Sequence, residues 1–262
     1  MKSFIRKHIL GKRGVELTPV GSYREALEQT KTSEYANEII TQYVIDSSMA
    51  YLDIVKNKEP KFGKFQKWEF DMKVLFESFI SKGSELKILD LGGGLVPLYW
   101  HLVKLSPELK VRWGVWELEE LVKASSTFAN ENISFFTSPD DCKEAMGEVD
   151  VVFSRNSLQY CPDPLKFFSM LLSVNPQVFF LKKLGVLKSG SAKVFLQSSN
   201  LLDHGPVILD SYKNLRVEYP VTYCPIDQYL AILNQNDYET EYYYEEEGNE
   251  YGSMVTLVAK KK

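Results

Sequence analysis

The chain has 262 residues, 44% of them apolar and 25% charged, which is too apolar for a disordered polymer and enough for one or two domains of roughly 150 residues. Lys and Arg number 31 against 35 Asp and Glu, a net charge of −4, and that balance argues against a broad phosphate-binding face and so against nucleic acid as a partner. The three cysteines, Cys142, Cys161 and Cys224, form no CxxC pair, so no zinc ribbon or other metal site is expected and a reducing cytoplasm suits the chain.

The opening stretch, MKSFIRKHILGKRG, holds Lys2, Arg6, Lys7, Lys12 and Arg13 and no acid. It lacks the apolar core of a secretory signal. It reads as a frayed arm, or as a weak peripheral contact with an anionic membrane or a partner. Up to about Gly83 the texture is helical. Ser33-Glu34 followed by Ile39, Ile40, Tyr43, Val44, Ser47 and Tyr51 marks one amphipathic helix. Trp68, Phe70, Met72, Leu75, Phe76, Phe79 and Ile80 mark a second, closed by Lys82-Gly83.

From Leu86 short apolar strands alternate with helices. Strands are expected at Leu86–Leu91, Val111–Trp116, Ile133–Thr137, Val149–Ser154 and Gln177–Leu181. Helices are expected at Pro97–Leu105, Glu119–Phe128 and Pro164–Ser173. This rhythm predicts an α/β fold, a doubly wound and mostly parallel sheet with helices on both faces. Ala192–Ser198 reads as an extra strand without a place. Ile226–Leu233 reads as a helix, and Tyr238–Glu245 with Met254–Lys260 as a terminal antiparallel strand pair. The most apolar run, Val178–Leu181, stops at Lys182-Lys183, far short of the ~18 apolar residues a membrane span needs. Two regions result: residues 1–85, an N-terminal helical cap, and residues 86–262, the sheet domain.

The motif that carries chemistry is Lys87-Ile88-Leu89-Asp90-Leu91-Gly92-Gly93-Gly94. Glycines after a strand let the backbone approach a ligand, and the next helix N-terminus offers unpaired N–H groups; such a turn also arises for packing alone. A dinucleotide fingerprint is absent, because the third-glycine position holds Pro97. An acid at the strand's end would repel a pyrophosphate and suits a ligand with cationic groups. Glu117 closes the next strand, where a carboxylate can take hydrogen bonds from both ribose hydroxyls of an adenosine. Its plainer role is that of a surface residue beside Glu119 and Glu120.

Asp90-Leu91-Gly92-Gly93-Gly94 and Glu117 resemble the DxGxG motif and second-strand acid of class I S-adenosylmethionine-dependent methyltransferases, which have a Rossmann-like fold. Further likeness lies in Gly21-Ser22-Tyr23 with Glu25-Ala26, Tyr99, Arg112–Glu117, Leu158-Gln159-Tyr160 with Asp163-Pro164, and Tyr219-Pro220. These are similar to a methyltransferase family associated with bacterial surface-polysaccharide gene clusters. Where class I enzymes often carry another glycine, this chain has Val96. The resemblance implies S-adenosylmethionine as cofactor, with Asp90, Gly92, Gly93 and Gly94 at its amino-acid end and Tyr99 closing over it. Glu117 would hold the ribose, Leu118 lie beside the adenine, Thr137 and Ser138 near its edge, and Ser154 and Asn156 on the floor. Tyr99 equally reads as a core aromatic, and Ser138, before Pro139-Asp140-Asp141, as the start of a turn.

Methyl transfer needs alignment above all, and a hydroxyl acceptor gains about 10²–10⁴ in rate from a general base. Of His8, His101 and His204, His204 is the first candidate base, since it follows Asp203 in a loop beyond the fifth strand. Tyr160 is the second, as a positioning or proton-accepting phenol. His204 also reads as an ordinary loop residue. Lys182 and Lys183, expected at a strand end, would bind an acceptor phosphate or simply face solvent, and Glu245-Glu246-Glu247 reads as a solvated hairpin. The resemblance implies O-methylation of a sugar or sugar-linked phosphate in surface-polysaccharide biosynthesis, with a glycan precursor or other small molecule as acceptor. A non-catalytic module binding the same cofactor or its demethylated product is the alternative, and a nicotinamide-dependent oxidoreductase a third.

Overall fold

The computed structural model describes residues 15–30, 38–57, 85–248 and 250–262. The basic arm and the helix expected over 68–80 lie outside them. The elements run β1 (Glu16–Val20), α1 (Tyr23–Gln29), α2 (Glu38–Asn57), β2 (Leu86–Leu91), α3 (Tyr99–Leu105), β3 (Val111–Trp116), α4 (Glu119–Ala124), β4 (Ile133–Phe136), α5 (Pro139–Met146) and β5 (Val151–Arg155). There follow α6 (Pro164–Leu172), β6 (Val178–Leu187), β7 (Lys193–Asn200), β8 (Arg216–Pro225), α7 (Ile226–Gln235), β9 (Tyr238–Gly248) and β10 (Ser253–Lys261).

Among the described residues ten strands form one sheet, ordered β1-β7-β8-β6-β5-β2-β3-β4, with β10 pairing β6 and β9. The stretch β6-β5-β2-β3-β4 is parallel throughout. β10 lies antiparallel between β6 and β9. This is the doubly wound, mostly parallel sheet with a terminal antiparallel pair that the sequence predicts. Its parallel strands are buried on both faces, so they read as unbroken apolar runs. Leu89, Leu91 and Trp116 pack on one side with α5, α6 and α7, while Ile88, Trp113 and Val115 pack on the other with Tyr99 and Leu102 of α3. Because β2 has β3 on one side and β5 on the other, the chain reverses winding direction between β2 and β5. Ligand crevices form at that switch, outside the carboxyl ends of the strands.

Three expectations need correction. β1 lies in the region read as a helical cap and pairs antiparallel with β7. It is an edge strand, where Pro19 is tolerated. The unplaced strand is β7, and its partner β8 has no counterpart among the expected strands. β8 meets β6 only at Cys224 and Pro225, so at Pro220 it is bordered by β7 alone. Last, Lys182 does not end a strand. It sits mid-β6, 4% exposed, with its Nζ 2.9 Å from Glu246 Oε1 and 3.1 Å from the Tyr244 hydroxyl. It is therefore withheld from any acceptor phosphate, and Glu246 is its buried partner rather than a solvated hairpin residue. Among the described residues no helix is long and apolar enough to cross a membrane.

Candidate functional site

A cleft of about 430 Å³ opens at the switch point, lined by Gly92–Gly94 after β2, Glu117 and Leu118 after β3, Arg155–Ser157 at the end of β5, Tyr160, and His204–Pro206. Val44 and Ser48 of α2 close its far side. The glycine bend is built by backbone demands. Gly92 and Gly94 both have φ near +68°, a conformation costly for any side chain. A Cβ on Gly92 would stand 2.5 Å from Ser157 Oγ, and one on Gly93 would stand 2.2 Å from Asp90 Oδ2.

Asp90 therefore lies beneath the bend rather than in the cleft wall. It is 1% exposed, its Oδ2 accepts the Trp113 indole N–H at 3.0 Å, and its Oδ1 has no hydrogen-bond partner among the described residues. Burial pushes its carboxyl up to about 8, with nearby Glu117 adding and Trp113 and Arg155 subtracting. Glu117 is half-buried and holds the bend from the side. Its Oε1 accepts the Gly94 N–H at 2.9 Å and its Oε2 the Leu118 N–H at 3.0 Å. Burial raises its pKa against the pull of those two bonds. One carboxylate on two N–H donors is a preformed acceptor fork, suited to a pair of vicinal hydroxyls.

The opposite wall comes from the loop after β7, which α2 anchors. The Tyr43 hydroxyl lies 3.2 Å from the Leu202 carbonyl and 2.9 Å from that of Val207, and Tyr212 donates to Asp46 at 2.6 Å. Gly205 packs so close that a Cβ there would meet Ser47 Oγ. His204 Nε2 lies 2.9 Å from Ser199 Oγ. Burial lowers its pKa to about 4, and the loss of imidazolium hydration, not Asp203, sets that shift. Tyr160 hydrogen-bonds Gln197, Asn156, Gln159 and Tyr219, and burial raises its pKa.

The structure thus brings Gly92, Gly93, Gly94, Glu117, Leu118, Asn156, Tyr160 and His204 to one cleft. It does not bring the other expected residues there. Tyr99 packs in the α3 face of the core. Thr137 is exposed, with its hydroxyl 3.3 Å from Asp141 Oδ2. Ser138 caps α5 through the Asp141 N–H, as the turn reading has it. Ser154 is buried, its Oγ bonding the Leu91 carbonyl. His101 binds the Tyr51 hydroxyl at 2.8 Å, joining α3 to α2. Sequence reasoning missed Arg155, a cation at the end of β5 within electrostatic reach of Asp90. Its position one residue beyond Ser154 was the available signal.

No protein-family model and no curated protein matches the sequence. Among solved structures there are remote similarities. The sugar N-methyltransferase KedS8 from Streptoalloteichus is 13% identical over 82% of this chain and 92% of its own, with a TM-score of 0.49. The N-terminal domain of EvdMO1, solved with SAH bound, is 13% identical over 76% and 82%, TM-score 0.47. An S-adenosylmethionine-dependent methyltransferase from Clostridium acetobutylicum is 11% identical over 82% and 98%, TM-score 0.44. Likeness this remote carries no functional weight, so function rests on the cleft.

Proposed function

We propose that the chain is an S-adenosylmethionine-dependent methyltransferase acting in the cytoplasm on a small-molecule acceptor, a sugar-related oxygen in surface-glycan synthesis. The observation that carries this reading is the pair of carboxyl groups flanking one glycine bend: Asp90 beneath it and Glu117 beside it. The groups fit the cofactor. Asp90 Oδ1, buried and without a hydrogen-bond partner among the described residues, suits a nearby cation, whereas a pyrophosphate would meet two acids and no third glycine. That same count disfavours the nicotinamide reading.

In this reading the Glu117 fork takes the ribose hydroxyls, the Gly92–Gly94 main chain meets the amino-acid end over Asp90, and Leu118 flanks the base. Arg155 lines the cleft at the β5 end, where a guanidinium can meet the donor's carboxylate. The chemistry supplied by the donor is a methyl group on a sulfonium: an acceptor lone pair takes the carbon, and the C–S electron pair stays on sulfur. The protein aligns the partners and excludes water. His204 and Tyr160 face the acceptor side, where His204, held neutral by burial, takes the acceptor's proton.

The test is a thermal-shift comparison of S-adenosylmethionine, S-adenosylhomocysteine and NAD. A ligand at a hundred times its Kd adds ~2.7 kcal/mol of stability. The proposal expects the two adenosyl compounds, not NAD, to raise Tm. Incubation with glycan precursors should then give a product one methyl group heavier. Adenosyl binding without turnover on any acceptor would favour the non-catalytic module instead.

A further inference from the structure

The acceptor wall contains polar side chains that the donor site does not use. Gln197 and Ser199 of β7 lie two apart on one face, and Gln197 is the register partner of Tyr219 in β8. All three are nearly inaccessible, at 6%, 1% and 1%. Burying polar groups in a strand pair is unfavourable unless they bond one another, and here they do. The Tyr219 hydroxyl accepts from Gln197 Nε2 at 2.5 Å and lies 3.0 Å from Ser199 Oγ. Ser199 Oγ is in turn 2.9 Å from His204 Nε2. At the other end Tyr219 hydrogen-bonds Tyr160, which also reaches Asn156, an exposed residue at the cleft mouth. The two acceptor-side residues are thus the ends of one row: His204, Ser199, Tyr219, Tyr160.

Resting on the methyltransferase reading, we propose that Ser199 and Tyr219 are positioning residues that join His204 to Tyr160 in a single proton relay along the acceptor wall. A hydroxyl both donates and accepts, so the row can reverse its polarity in concert. As the acceptor oxygen forms its bond to carbon, its O–H bond breaks and the proton joins the His204 ring at Nδ1. The proton on Nε2 passes to Ser199, that of Ser199 to Tyr219, that of Tyr219 to Tyr160, and that of Tyr160 to water at Asn156. Each group gains one proton and gives one up, and none is left charged. Exchange with water restores the starting tautomer. The relay resolves a difficulty of the site: burial that holds His204 near a pKa of about 4 makes a stored imidazolium costly, and a through-passing proton avoids it.

The test reads the His204 ring nitrogens by ¹⁵N spectroscopy at neutral pH, with His204→Asn to assign them, and needs no acceptor. Tyr219→Phe removes the hydroxyl but keeps the ring that meets His204 edge-on at 5.2 Å. The proposal expects Tyr219→Phe to shift the His204 signals in the wild-type background, and to leave them in place in a Ser199→Ala background, a coupling cycle along the row. Ser199→Thr, which keeps the hydroxyl, supplies the check if Ser199→Ala does not fold: it should preserve the response to Tyr219→Phe. No shift on Tyr219→Phe, or an equal shift in the wild-type and Ser199→Ala backgrounds, overturns the relay. S-adenosylhomocysteine melts of the same proteins separate the two readings, since a wild-type chain that the ligand does not stabilise counts against the methyltransferase and leaves the hydrogen-bond result standing. With an acceptor in hand, Tyr219→Phe should lower kcat at least ten-fold with the donor's KM unchanged.

Discussion

Glu117→Ala is the sharpest perturbation of the donor site. In the structure its two oxygens take the Gly94 and Leu118 N–H groups at 2.9 and 3.0 Å. The same carboxylate faces the cleft, where the two ribose hydroxyls would donate to its remaining lone pairs. Bonds to a charged acceptor contribute about 1.5–3 kcal/mol each. Losing one such bond raises Kd at least ten-fold, at ~1.4 kcal/mol per decade, and losing both raises it by at least about a hundred-fold. Glu117→Gln keeps one carbonyl acceptor and should fall between wild type and Glu117→Ala. The assay is calorimetric titration with S-adenosylhomocysteine, paired with denaturant melts of the unliganded proteins. The melts isolate the contribution of the lost Gly94 and Leu118 partners, about 1–3 kcal/mol if either N–H stays dry. A Kd for Glu117→Ala within three-fold of wild type, in a folded protein, would refute the ribose assignment.

Three other outcomes follow from the same geometry. Gly92→Val places a β-branched residue at φ +68° with its Cβ 2.5 Å from Ser157 Oγ; it should destabilise the fold by about 1–3 kcal/mol and abolish donor binding, and normal binding in calorimetry would remove the close-approach argument. Stability should also depend on pH in a sign-specific way, read from urea melts. Asp90 has a folded pKa of about 8 against 3.8, so its contribution is whole below 3.8 and is lost as pH rises through 8. His204 has a folded pKa of about 4 against 6.5, so its contribution is present above 6.5 and is lost as pH falls through 4. Between 4 and 6.5 the two slopes oppose each other; from 6.5 to 8 Asp90 acts without that offset and stability falls by about 2 kcal/mol, with Glu117 acting in the same direction. Asp90→Asn should remove its part of that decline, and an unchanged pH profile would place the titrating group elsewhere. Finally, Glu246→Ala strands the buried Lys182 ammonium and should cost about 3–5 kcal/mol, whereas Lys182→Met with Glu246→Leu should cost far less; equal losses in the two melts would contradict the buried pair.

The parallel half of the fold is legible because strands covered on both faces announce themselves as apolar runs, and because Asp90–Gly94 can only be a bend between strand and helix. The same double burial hides orientation. No alternation tells which side a residue of β2 takes, so Asp90, which closes an apolar run, reads as facing the ligand while the structure folds it under Gly93 against Trp113. Lys182 misleads for the opposite reason. Two lysines normally end a strand, and only Glu246, 64 residues later, makes a buried cation tolerable. β8 is concealed by Pro220, admissible because β6 borders only the last two residues of β8, and by Pro225, which closes the strand. Gln197 and Ser199 carry no signal in the sequence, since their partners Tyr219 and His204 are brought beside them only by the fold. Thr137 and Ser138 illustrate a further limit: the end of β4 is legible, but the direction in which its side chains leave it is not.

The central claim is that the bend between Asp90 and Glu117 seats an adenosyl sulfonium donor. Calorimetric titration of the purified chain with S-adenosylmethionine in two buffers of different ionisation enthalpy tests it most directly. The account predicts saturable one-to-one binding accompanied by net proton release at pH 7, as the donor's positive charge draws the proton off the Asp90 carboxyl, with that release absent in Asp90→Asn. Absence of binding at millimolar donor, or binding whose proton release is the same in Asp90→Asn, would contradict it.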